Sequence, residues 1–141
     1  MSQDSEAGAD IGKSLPMILF RPGMDVGELE DWPFENPKSD YVVHTNEGGK
    51  TPRASGRIDS STPTSRVGIW KCTQGKFECT EQGDELMTIL SGVVTVTNIG
   101  SGQAVTLKEG DSMFSRDGSR VLWDIQEDVT KVFYGSKPDG Y

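Results

Sequence analysis

What most limits the fold of this chain is its punctuation. From Ser65 onward, short runs rich in Val, Ile, Thr, Phe and Trp are cut by glycine-containing turns at intervals of roughly eight to twelve residues. A helix needs an apolar stripe that recurs every three or four residues over a longer stretch, and no segment sustains that pattern beyond two turns. The alternation instead predicts strands at residues 66–72, 76–81, 85–90, 93–98, 104–107, 112–114, 120–126 and 130–134. Turns are expected at Gln74-Gly75, Gln82-Gly83-Asp84, Ser91-Gly92, Gly100-Ser101-Gly102, Glu109-Gly110-Asp111 and Asp117-Gly118. About eight short antiparallel strands in a row imply a double-sheet jelly roll or a compact barrel.

The first part of the chain has a different texture. Residues 1–13 lack the apolar content that would offset the entropy of ordering them, so a mobile tail is expected there. Residues 14–65 hold six of the seven prolines, with apolar anchors at Met17, Ile18, Leu19, Phe20, Trp32, Phe34 and Tyr41. This reads as an irregular arm draped over a barrel spanning 66–141, with one short strand near Tyr41–His44. Gly49-Lys50-Thr51 resembles the end of a phosphate-binding loop. However, His44 stands where that motif needs its first glycine, and Pro52 and Gly56 obstruct the helix that must follow.

With 141 residues the chain suits one domain with a single core. The 14 Lys and Arg against 22 Asp and Glu give a net charge of −8, and the bases are scattered, which argues against a nucleic-acid partner. No run reaches the roughly 18 apolar residues of a membrane span, and the acidic start does not read as a secretion signal. The expectation is a soluble cytoplasmic protein without a membrane partner. Cys72 and Cys79 are the only cysteines, too few for a disulfide framework or a four-cysteine zinc site, and are expected as reduced, buried small side chains.

The stretches GIWKCTQGKF (68–77), GDELMTILSGVVTV (83–96), LKEGDSMF (107–114) and DGSRVLWDI (117–125) resemble the cupin superfamily, within it the branch of the ureidoglycine aminohydrolase cupin domain and the ethanolamine-utilisation cupin. The likeness covers residues 66–135 and rests on the Glu-x6-Gly step from Glu85 to Gly92, the Gly110-Asp111 pair, and Gly118 and Trp123 downstream. It implies an all-β fold, the cupin-type double-stranded β-helix or jelly-roll barrel, here with an irregular N-terminal arm. It also implies a pocket that usually holds a metal through histidines. In this chain those motif positions are Cys79, Glu81 and Val121, and the only histidine, His44, lies elsewhere.

In the cupin register Phe77, Cys79 and Glu81 share a face with Glu85, Met87 and Ile89 of the next strand, all turned into the barrel. Desolvation and a second nearby acid would then favour the neutral form of a carboxyl, making Glu85 the candidate catalytic acid or base. Glu81, Cys79, Trp70, Met87 and Trp123 are candidate substrate-binding residues, with Arg116 (and Arg120) placed to clamp an anionic group at the mouth. No cofactor is expected. A thiolate and two carboxylates are legitimate ligands, so a weak, non-standard metal site at Cys79, Glu81 and Glu85 stays open.

Two functions follow. The first is a small-molecule-binding cupin, a cryptic enzyme if it acts at all, whose ligand is a nitrogen-containing or carboxylate metabolite. The alternative is a non-catalytic structural or regulatory cupin dimer. Under either, the apolar arm suggests a homodimer formed by its exchange.

Overall fold

The structure is a computed structural model that describes residues 17–36 and 39–141. The expected tail at 1–13 lies outside the described residues. The described residues form nine strands: β1 Glu30–Asp31, β2 Val42–His44, β3 Ala54–Thr62, β4 Ser65–Cys72, β5 Gly75–Thr80, β6 Asp84–Asn98, β7 Ala104–Lys108, β8 Ser112–Ser115 and β9 Arg120–Ser136.

The sheet is organised around the two longest strands. β9 lies between β6 on one side and β4 followed by β5 on the other: Val129–Ser136 pairs with β4, and Arg120–Ile125 pairs with β5. β6 in turn carries β8 along its first half and β7 along its second. Each ribbon therefore runs the length of the sheet and bends midway, at residues 73–74, 89–93, 109–111 and 126–128. These bends lie side by side and fold one curled sheet into two facing halves, the jelly roll expected from the sequence.

That geometry corrects several expected turns. Gln74-Gly75 is a corner between consecutive strands on the same partner, because β4 and β5 both pair with β9 rather than with each other. Cys72 thus faces Val129 across the ladder instead of Phe77, and Phe77 faces Trp123. Ser91-Gly92 is not a hairpin either. β6 continues through it with register shifts between Ile89 and Val94. Met87 and Ile89 face the core before the shift, Val94 and Val96 after it, so the inward set passes from odd to even positions. Bulges are what allow an unbroken strand to switch sides. Gly92 sits there with φ of +93°, and an added Cβ would fall 2.1 Å from the Asp128 carbonyl oxygen.

β3 lies inside the segment read as an arm. It pairs along its length with β4 and extends the sheet, yet its sequence, ASGRIDSST, carries few apolar residues. The rest of the arm wraps this sheet. Gly23 N–H donates to the Leu90 carbonyl, the Arg57 guanidinium donates to the Val26 carbonyl, and β1 pairs with β3. Trp32 and Phe34 then turn over the open end of the barrel and pack on its core. Tyr41 packs on Phe34 and Phe77 and Phe20 is half-buried, whereas Met17, Ile18 and Leu19 are exposed. The Gly-Lys-Thr segment forms a loop closed by Asn46, whose side chain accepts from the Gly48 and Lys50 N–H groups.

Candidate functional site

The two halves of the barrel enclose a cavity of about 450 Å³ at the end covered by the arm. Its walls are aromatic because inward positions of three ladders converge there: Trp70 from β4, Phe77 from β5, Trp123 and Phe133 from β9. Phe77 and Trp123 stack with centroids 5.9 Å apart, and Trp70 meets Trp123 edge-on at 5.3 Å. From the arm come Trp32, Phe34 and Tyr41, with Phe34 4.8 Å from Phe77. Gly56 makes room for Trp32, since a Cβ at this position would lie 2.3 Å from the indole ring.

At the floor of this aromatic-walled cavity is a charged cluster. Lys131 is only 6% exposed. It alternates with Val129 and Phe133 on the inward face of β9, so its ammonium projects among the rings, 4.6 Å from the Trp123 centroid and 4.8 Å from that of Trp70. Its Nζ donates to Glu85 Oε2 at 2.5 Å. A buried ammonium is tolerable only with such compensation, here a carboxylate together with the negative faces of aromatic rings.

Glu81 completes the cluster. It follows β5 on a crossing segment that is bonded to a second one, residues 116–119: Glu81 N–H donates to the Ser119 carbonyl, and Gly118 N–H donates to that of Glu81. Burial pushes the Glu81 carboxyl up to about 7, helped by the charge of Glu85 and opposed by Lys131 and by a hydrogen bond from Ser115. That bond, Ser115 Oγ to Glu81 Oε2, is long at 3.4 Å.

Cys79, Glu81, Glu85, Trp70 and Trp123 all line this cavity. The structure places two other expected site residues elsewhere. Met87 faces inward but lies in the core, opposite Phe133 and Met113. Arg116 is on the exposed loop after β8, where it borders a separate cavity of about 220 Å³, its guanidinium over the Phe114 ring. Arg120 is occupied by Asp40, 2.9 Å away, and by Glu78. His44 is on the outer surface beside Glu78.

Sequence reasoning missed Lys131. Its signal was the Val129-Lys131-Phe133 alternation, a lysine where an inward apolar residue is due. It also left Trp32, Phe34 and Tyr41 as packing anchors rather than cavity walls.

The donor set fits a divalent metal poorly. Burial raises the Cys79 thiol far above its ordinary value, so the ligating thiolate is disfavoured, and Glu85 already holds an ammonium. Among the described residues no group of three or more His, Cys, Asp or Glu is arranged to hold a metal ion. Neither is there, among them, a helix long and apolar enough to cross a membrane.

Comparison with known proteins adds a family. A model of the EutQ-like cupin domain matches residues 60–133. Among solved structures, the chain is similar to the EutQ protein of Clostridium difficile, with a TM-score of 0.56 and 15% identity over 68% of this chain and 77% of that one. A Salmonella typhimurium structure named for ethanolamine utilization protein q aligns at a TM-score of 0.51 and 18% identity, covering 72% of this chain and 98% of the other. A cupin superfamily protein of Desulfitobacterium hafniense aligns at 0.53 and 13% identity over 60% and 77%. No curated protein matches the sequence. At these identities the structural likeness speaks for the fold alone.

Proposed function

The chain belongs to the EutQ-like cupin family, and from that premise we propose that it binds a small polar metabolite in the barrel cavity. The observation that carries this reading is the aromatic vessel of about 450 Å³ with the Lys131–Glu85 pair and Glu81 at its floor. Cavities of that size, with broad aromatic walls and a few convergent polar groups, are a usual form of small-ligand site. Rings on facing walls suit a flat or apolar body. The charged floor suits a polar end bearing nitrogen or a carboxylate, in line with the finer resemblance to the ureidoglycine aminohydrolase cupin. In this reading Glu81 shares the acid–base role first assigned to Glu85, whose carboxylate also holds Lys131.

A thermal-shift screen tests the proposal. The panel comprises amino acids, amino alcohols, ureides, polyamines, small carboxylates, small carbonyl compounds and divalent metals. A ligand present at a hundred times its Kd stabilises the folded state by about 2.7 kcal/mol, a shift of several degrees for a domain of this size. The expected outcome is such a shift with one organic class, abolished by Trp123→Ala. A flat response to every organic class, or a large one to a metal alone, would refute it.

The second reading, a non-catalytic dimer, is favoured by a different observation: Phe114, Leu86 and Tyr134 stand side by side on the outer face of β8, β6 and β9, each about half exposed. It does not compete for the cavity.

A further inference from the structure

Among the charged groups of the floor, Lys131 is the one that can become a nucleophile. Cys79, the other candidate, is held as a thiol by burial. Lys131 combines three properties seldom found together: it is buried, its Nζ faces a cavity large enough for a small organic molecule, and two carboxyl groups attend it. Glu85 contacts Nζ directly, and Glu81 lies within electrostatic reach of both. An amine beside one proton acceptor and one proton donor is the arrangement that condensation with a carbonyl group requires.

We propose that Lys131 forms a protonated imine with small aldehydes or ketones bound in the aromatic cavity, with Glu85 and Glu81 as its proton-transfer partners. This rests on the reading of the cavity as a small-molecule site and adds a covalent step to it. The resting ion pair first passes one proton from Nζ to Glu85. The freed amine attacks the carbonyl carbon, the N–C bond forms, and the carbonyl π electrons move to oxygen, which takes the proton of Glu81. The nitrogen returns a proton to Glu81, giving a neutral carbinolamine. The C–O bond then breaks. Hydroxide leaves as water with the proton held on Glu85, while the nitrogen lone pair closes the C=N bond. The products are the protonated imine and one water, with both carboxyls restored, so no oxidant or second substrate is needed.

The aromatic walls assist: Trp70 and Trp123, which hold the ammonium, hold the iminium cation equally well. Other lysines, such as Lys71 at the surface and Lys108 on β7, lack both the cavity and the paired acids.

The test is reductive trapping on the full chain. Benzaldehyde and, separately, pyruvate are added at limiting concentration with cyanoborohydride, and the modified lysine is located by peptide mapping. The expected result is labelling of Lys131 at least roughly tenfold faster than any other lysine, a modest demand beside the usual gain from positioned acid–base groups. Glu85→Gln slows it, and Lys131→Arg, which keeps the charge but forms no imine, abolishes it. Mapping the wild-type chain gives the answer even where a variant fails to fold. Label spread over surface lysines with none at Lys131 overturns the imine. If a reversible ligand still stabilises the protein in the thermal screen, the binding reading stands without it; if none does, both fall.

Discussion

A carboxyl that keeps its proton to about pH 7 in the folded chain, as Glu81 does, makes folding depend on pH. Below its ordinary value of 4.5 the group is protonated in both states and contributes no difference. As pH rises from there towards 7, the unfolded chain releases the proton while the folded chain retains it, so stability falls, and above the folded value the loss levels off. Glu81→Gln cannot ionise and escapes that penalty. The variant is expected to match the wild type in chemical denaturation at pH 4 and to exceed it at pH 8 by on the order of 3 kcal/mol. A difference between the two proteins that stays constant with pH would show that Glu81 is not the buried acid described. The same logic explains why Glu81 and Glu85 play different parts despite similar surroundings. Lys131 touches one of them and only partly offsets the burial of the other.

The four bends, two inside β6 and β9 and two between consecutive strands, decide whether the sheet closes on itself, and Gly92 is where the constraint is tightest. Gly92→Ala places a methyl against the Asp128 carbonyl with the backbone at positive φ, whereas Gly102, also at positive φ, has open space around it. Gly92→Ala should therefore cost at least about 2 kcal/mol in a denaturation midpoint, and Gly102→Ala nearer 1 kcal/mol; equal losses would remove the bend at Gly92 as a special point. The same contrast explains what the sequence could and could not reveal. Strand positions were legible because apolar alternation is local; it put Cys79 and Glu81 on one face, and the cupin resemblance turned that face, with Glu85 of the next strand, into the barrel. Whether a glycine marks a hairpin or a corner depends on which distant strand each flank pairs with, and so Gln74-Gly75 and Ser91-Gly92 read as turns. β3 was hidden for another reason. Its inward surface is largely glycine and small residues, with Trp32 supplying the apolar cover at Gly56, so the pattern that marks a strand is lent by another segment. Lys131 was harder to see: alternation says only that it shares a face with Val129 and Phe133, and the paired ladders are needed to show that this face turns to the cavity.

The barrel has an outer surface to account for as well as a cavity. Phe114, Leu86 and Tyr134 are 55%, 52% and 48% exposed and adjacent in register, and the Met17–Leu19 segment of the arm is exposed too. Apolar surface of this kind on neighbouring strands usually meets a partner, and a second copy of the chain brings both the patch and a matching arm. The arm residues from Gly23 to Phe34 cover their own barrel, which leaves the exposed Met17–Leu19 stretch as the described part of the arm able to reach across. A homodimer is therefore expected, and the net charge of −8 on each chain sets its salt dependence. Like-charged copies repel at low ionic strength, and at about 0.15 M salt screening shortens that repulsion to roughly 8 Å, leaving apolar contact to dominate. Sedimentation velocity at micromolar concentration should give twice the chain mass at 0.15 M salt, with a shift towards monomer as salt is lowered. Phe114→Glu adds a charge at the patch and should abolish the dimer while leaving the cavity's ligand response intact, since β8 turns that ring away from Lys131. A monomer under all these conditions would leave the exposed row without a second copy to cover it.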